Sequence, residues 1–365
     1  MLRLISSRKV PAVGDATAEP PFGELKLDAQ GFVDATELRA MIARAVNDAR
    51  ELLVIESGSE THIGALVADL IRQSEPAPSI DGVDLKALVA CMDVQVVLDS
   101  FARHRPGPEN RAPAAIAEQV ESATVVALSN PTGAPDDAAL ADAIVRGLNP
   151  AADVILVHGG DRSLDVSPSV PTRAAPNKVP PCGGASPSLV TAVPFHARRP
   201  FHPRRFWVFL KTGLDGVFRG KGFFWLASQM NLVGGLNVAG GERQAAPVGT
   251  WWAAMPESQM DRAEWPDAIN NEWVEPYGDR RQALIFLGLK LDDETLRVAL
   301  ESCLLTHAEM AAGEQSWREF ADPFAAWGGA GHMHEHHDCA CGHDDQHGGD
   351  EGGHGSCCDR HHHEH

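Results

Sequence analysis

Apolar and polar positions recur along this chain with two different periods, and the points where the period changes divide it into segments. In DATELRAMIARAVND (34 to 48), Leu38, Met41, Ile42, Ala45 and Val46 return at helical spacing, with Asp34 and Glu37 related as in a capping box. The segment predicts an amphipathic helix. Four apolar runs follow, LLVIES (52 to 57), VQVVLDS (94 to 100), ATVVALS (123 to 129) and DVILVHGG (153 to 160), separated by helix-patterned stretches such as PAAIAEQVES (113 to 122) and DDAALADAIVRGL (136 to 148). Strands that are apolar on consecutive positions and alternate with helices predict a parallel sheet covered on both faces, so residues 1–160 read as an α/β domain.

From 161 to 189 the composition turns to Pro, Ser, Gly and Ala, as expected of a linker. A second pattern occupies 190–327. Strand-like VPFHA (193 to 197) leads into a helix through RRFWVFLKTG. Strand-like VFRGKGFFWLAS (217 to 228), alternating LVGGLNVAGG and strand-like QALIFLGLKL (282 to 291) follow, then a helix from Asp292 with Leu296, Ala299, Leu300, Cys303 and Leu304 on one face. This order predicts an α+β, ferredoxin-like βαββαβ sandwich of one sheet against two helices. Residues 328–365 are low-complexity Gly, His, Asp and Cys, a composition that cannot bury enough apolar area to offset chain entropy and predicts a disordered tail.

Composition sharpens the picture at that tail. Of 17 His residues, 11 lie between 332 and 365, together with four of the seven Cys, and no packed core produces such a skew. The same segment holds eight Asp and Glu against one Arg, a charge of −7 out of −19 for the whole chain. An acidic chain repels polyanions, so nucleic acid and anionic membrane surfaces are excluded as partners. The N-terminus has no apolar core of ~7–15 residues to act as a secretory signal, and no stretch reaches the ~18 apolar residues of a spanning helix. A cytoplasmic protein with reduced thiols is the expectation, since Cys91, Cys182 and Cys303 are too scattered for a disulfide framework.

His332, His334, His336, His337, Cys339, Cys341, His343, His347, His354, Cys357, Cys358, His361, His362, His363 and His365 supply imidazoles and thiolates at close spacing. That ligand set suits zinc, and nickel, cobalt or copper would also bind. The interleaved carboxylates favour a divalent cation and can accept imidazole N–H groups. Many equivalent ligand sets on a flexible, glycine-rich chain predict several exchangeable ions, which fits storage or hand-over better than a fixed catalytic centre.

The strings RPFHPRRF (199 to 206), VFRGKGFFWLAS (217 to 228), EPYGDRRQALIFLGLKLD (275 to 292) and SCLLTHAEM with DPFAAW (302 to 327) resemble the C-terminal domain of the CobW-like proteins, P-loop GTPases regarded as metal chaperones. The front half resembles that family's GTPase domain more weakly. LLVIESGSE matches its Walker-B-like strand, IAEQVESATVVALSNPTG the approach to its base-reading loop, and RGLNPAADVILV the next unit. The resemblance implies GTP, magnesium, a metal cargo and a metal-requiring client protein.

Several family features are missing. A phosphate loop needs Gly-rich backbone to turn N–H groups toward phosphate, and a Lys and Ser/Thr for the β/γ oxygens and magnesium. No GxxxxGK[ST] occurs, and the one Gly-Lys pairing, Gly220-Lys221, sits in the second domain. Where the family's Asn-Lys-x-Asp is expected the chain has Asn130, Pro131, Thr132 and Gly133, and the position of its Gly-Cys-x-Cys-Cys motif reads KLDAQGFVDA. The front domain is therefore expected to be a degenerate GTPase scaffold with negligible affinity for GTP. Glu56 and Asn130 would be the vestiges of its nucleotide site. Two alternatives stand beside this reading: an active GTP-hydrolysing metallochaperone whose phosphate loop was lost through a misplaced start, and a partner-binding regulatory protein. His196 and His202, in a strand-to-helix connection, are expected to be surface or structural residues, with a role as metal or partner ligands as the alternative. Trp251, Trp252, Trp265 and Trp273 are expected to pack a loop onto the sheet, with a protein-binding platform as the alternative, Cys303 to lie in the core, and Arg219 and Lys221 to sit on a solvated face, with an acidic partner as the alternative.

Overall fold

The computed structural model describes residues 2–7, 23–25, 40, 42–44, 47, 52–57, 87–103, 113–157, 189–255 and 265–324. Met1–His332 form one unit and Met333–His365 a second, none of whose residues is described.

In the front half a parallel sheet of order β4-β5-β6 joins β4 (Val89–Asp93), β5 (Val125–Ser129) and β6 (Asp153–Val157). Helix α1 (Val94–Phe101) leaves β4 directly. Here the expectation of a strand at VQVVLDS fails. Asp93 accepts from the Gln95 N–H at 2.7 Å and caps a helix whose Val94, Val97, Leu98 and Phe101 are buried at positions i, i+3, i+4 and i+7. The β-branched run reads as strand by propensity, but the helical period and the Asp cap decide it. Helices α2 (Pro113–Ser122) and α3 (Pro135–Leu148) lie where the periodicity places them, α3 opening on Pro135 with Asp136 and Asp137 in its first turn. Buried Asn149 ties their ends together, donating to the carbonyls of Val120 at 2.9 Å and Ala123 at 2.8 Å.

LLVIES is a strand, but not part of the parallel sheet. As β3 (Leu52–Ser57) it pairs antiparallel with β1 (Leu2–Ser7), which pairs with β2 (Gly23–Leu25), in a sheet of order β2-β1-β3. An apolar run identifies a strand without naming its partner. Of the helix expected at 34 to 48, residues 40, 42–44 and 47 are described and all are helical, with Ile42 buried.

The second half is a five-stranded antiparallel sheet of order β10-β9-β8-β11-β7. It is built from β7 (Val190–Ala197), β8 (Val217–Phe224), β9 (Leu232–Ala239), β10 (Glu242–Thr250) and β11 (Gln282–Leu289). Helices α4 (Pro203–Thr212) and α6 (Asp293–Cys303) pack on it and on each other, and the short α5 (Asp267–Glu272) precedes β11. The sheet departs from the βαββαβ expectation in two ways. It gains β10, and the described chain after α6 enters another helix, α7 (His307–Trp317), instead of a strand. Strand β10 escapes sequence reading because it is an edge strand, exposed along most of its length and broken by a bulge at Pro247 to Gly249.

Helices α2 and α3 pack against β9 and β7, so they lie between the two sheets. One hydrophobic cluster accordingly runs from Val97, Phe101, Val120 and Ile144 to Val190, Phe218, Ile285 and Leu287. Phe218 reaches it through a bulge: Leu287 pairs with Arg219 and Gly288 with Val217, and the extra residue's ring stands 5.8 Å from that of Phe101. Gly147 in α3 lets the sheet approach, since a Cβ there would meet Val190 at 2.7 Å. On the opposite face of the sheet Phe206, Phe209, Phe224 and Phe286 form an aromatic core with Phe324. With both faces covered, Leu284 to Gly288 are buried without alternation. Among the described residues no helix is long and apolar enough to cross a membrane.

Candidate functional site

The fifteen His and Cys of the tail read from the sequence as metal ligands all lie outside the described residues, as does most of the linker segment. Among the described residues no group of three or more His, Cys, Asp and Glu could hold a metal ion. Glu56 is described only as backbone, in register with Arg3 across the β1 and β3 pair.

Ligands of open α/β sheets bind beyond the carboxyl ends of the strands. At the end of β5, Asn130 opens a turn closed by the Gly133 N–H on the Asn130 carbonyl at 3.2 Å, with Gly133 at φ +68°. The Asn130 side chain is committed within this turn. Its amide donates to the Ala134 carbonyl at 3.1 Å, and its Oδ1 accepts from the Thr132 hydroxyl at 3.1 Å. The next layer is equally self-satisfied. Arg103 donates to Gln95 at 2.7 Å, to Asp99 at 3.2 Å and to Asp137 at 3.2 Å, and Gln95 donates to Asp137 at 2.9 Å. The Gln95 hydrogen bond, with the Arg103 charge, lowers the Asp137 carboxyl, and the bond to Asp99 raises the guanidinium. The turn holds its shape through local bonds, and Asn130 to Gly133 offer neither a lysine nor a carboxylate to a purine edge.

In the second half, His202 precedes α4, its N–H bonded to the Cys303 carbonyl at 2.8 Å and its ring stacked 4.6 Å from Phe320. Burial first, and the neighbouring Arg205 charge second, lower its imidazole, which favours the neutral ring. His196 is exposed on the edge strand β7. Cys303 lies in the core, and burial pushes its thiol up to about 11. A protonated thiol is a poor ligand and nucleophile. The tryptophans do pack a loop: Trp252, Trp265 and Trp273 meet in sequence at 5.3 and 5.0 Å. Asp279 accepts the N–H groups of Trp252 and Ala253, and Arg280 donates to the carbonyls of Met230, Tyr277 and Ala253.

The reading of Arg219 and Lys221 as a solvated face is corrected. Arg219 is 8% exposed and donates through Nε to Glu121 at 2.7 Å, and through a terminal nitrogen to Asn237 at 2.6 Å and the Val238 carbonyl at 2.9 Å. Lys221 reaches the other Glu121 oxygen at 3.0 Å. Burial works to raise the Glu121 carboxyl, but the Arg219 hydrogen bonds and the two cationic charges outweigh it and lower it. No local signal in the sequence pairs residues 98 positions apart.

Residues 190–304 match the Cobalamin synthesis protein cobW C-terminal domain. A protein of Mycobacterium tuberculosis named a zinc chaperone is 32% identical over 265 residues, covering 68% of this chain and 64% of that protein. The zinc-regulated GTPase metalloprotein activator 1 of Dictyostelium discoideum is 37% identical over 133 residues, covering 35% of this chain and 28% of that one. The chain thus spans less than two thirds of the length of these relatives. Among solved structures, the Zn(II)-bound YjiA GTPase from E. coli covers 65% of this chain and 67% of its own, with 15% identity and a TM-score of 0.30. Residues 190–304 therefore carry a cobW C-terminal domain, and the chain as a whole is similar to proteins that are named for zinc handling.

Proposed function

We propose that this protein handles zinc as cargo: it binds the metal through its His- and Cys-rich tail, delivers it to a metal-requiring client, and no longer hydrolyses GTP. One observation carries the reading, the concentration of 11 His, four Cys and eight carboxylates in the last 34 residues. Imidazole and thiolate select borderline-soft divalent ions, and a glycine-rich chain can wrap them without a preformed cage. The names of two relatives, a zinc chaperone and a zinc-regulated GTPase metalloprotein activator, support the choice of metal. The loss of GTP hydrolysis is supported by the missing phosphate-loop pattern and by the Asn130 turn, whose amide is engaged within its own loop.

Zinc titration by calorimetry compares the full chain with one ending at Trp327. The full chain takes up several ions and the shortened one almost none, and uptake falls steeply below pH ~6.5 as imidazoles protonate. Equal stoichiometry in both chains sinks the tail as the metal site. A GTP titration of the full chain gives no saturation in the micromolar range, and saturable binding there restores the GTP-hydrolysing reading.

A further inference from the structure

We infer that the front half of the chain is a folding platform for the antiparallel sheet, locked to it by a charge cluster in which Glu121 meets the buried Arg219 and the partly exposed Lys221. This goes beyond the metal reading and does not depend on it. It also gives a domain without recognisable nucleotide motifs a reason to remain.

The joint has three parts. Glu121, near the end of α2, offers both carboxylate oxygens across the boundary: both accept from Arg219, at 2.7 and 3.2 Å, and the second also meets Lys221 at 3.0 Å. Arg219 is held in turn by Asn237 and the Val238 carbonyl of β9, so the carboxylate meets a guanidinium already fixed in place. The bulge at Phe218, one residue earlier, drives a wholly buried ring among Phe101, Ile116 and Val120 of the front half. Beyond β9, the turn at Gly240, with φ +56°, brings its backbone so close to α1 that a Cβ would stand 2.5 Å from the Ser100 carbonyl. Charge, aromatic ring and turn all converge on the same side of the sheet, that of β8 and β9. Without the front half, Val190, Phe218, Ile285 and Leu287 would face water together, and Arg219 would lose its carboxylate. An exposed apolar face of this kind opposes independent folding.

The distribution of tryptophan makes the test specific. All eight Trp residues lie at position 207 or later, so tryptophan fluorescence reports the second half alone, whereas circular dichroism reports both. Urea unfolding of the metal-free full chain is followed by both signals for the native protein, Glu121→Gln, Arg219→Gln and the double variant. In the native chain the two transitions coincide. Glu121→Gln, a change confined to the front half, leaves Arg219 buried without its counter-charge and lowers the tryptophan midpoint by about 1 M urea, in step with circular dichroism. The double variant loses less than the sum of the two single ones. Should Glu121→Gln fail to fold, Lys221→Met removes the more exposed cation and shifts both signals together by a few tenths of that amount. A tryptophan transition that ignores the front-half substitution, two separate transitions in the native chain, or strict additivity in the cycle each overturns the inference.

Discussion

Arg103 and Arg219 are built from the same parts, yet they do different things. Each guanidinium meets a carboxylate and a side-chain amide, Arg103 at the carboxyl end of the parallel sheet and Arg219 at the boundary between the sheets. The Arg103 side chain is 34% exposed and its partners 25% and 31%, so water and salt screen the network. Arg219 and Glu121 are 8% and 16% exposed, and neither can be rehydrated without parting the sheets. Removing one partner of the buried pair leaves an uncompensated charge, whereas removing one from the exposed network leaves a solvated one. Of these two networks, the one at the joint between the halves is the more shielded from water.

The comparison can be broken or sharpened by substitution. Phe218→Ala empties the front-half core of a fully buried ring and costs about 3–4 kcal/mol, measured by urea denaturation. A loss below ~1 kcal/mol would show that the joint is not tightly packed. Gly240→Ala forces a side chain into a positive-φ turn against the Ser100 carbonyl, and a loss of about 2 kcal/mol in the same assay is expected.

Glu309 gives an intermediate case within the second half. It completes the capping box of α7 with Thr306 and is gripped by both terminal nitrogens of Arg205 at 2.8 Å, which with the Thr306 bonds hold its carboxyl down to about 2. Glu309→Ala costs about 1 kcal/mol. Glu121 and Glu309 both titrate lower folded than unfolded. Their contribution is therefore fully present above the ordinary carboxylate range and is lost as pH falls through that range, for Glu309 down to about 2. Thermal midpoints followed from neutral to acid pH fall across this window, and either substitution flattens the fall. Arg103→Met is the smallest effect, within about 0.5 kcal/mol, and its midpoint shift shrinks further in high salt.

Parts of this architecture are legible in single segments. QALIFLGLKL reads as a strand and is β11, PAAIAEQVES reads as a helix and is α2, and ATVVALS reads as a strand and holds β5. Other parts mislead because local signals conflict or are silent. VQVVLDS carries both strand propensity and a helical period, and the capping geometry of Asp93 resolves it. ERQAAPVGT carries no period because an edge strand leaves most of its side chains in water. Glu121 has no local signal at all, since a glutamate near a helix end usually lies in solvent.

By itself the sequence determined β5, β6, α2 and α3 of the front half, the approximate positions of four of the second sheet's five strands, and the tail's composition. These depend on residue type and on spacing within a dozen positions, which hydrophobic periodicity and ligand chemistry encode directly. Tertiary structure alone decided that LLVIES joins an antiparallel sheet, that a bulge turns Phe218 toward the front half, and that Arg219 meets Glu121. Those outcomes rest on pairings between distant segments, where the cost of burying a charge or leaving a strand edge open is set by what stands opposite.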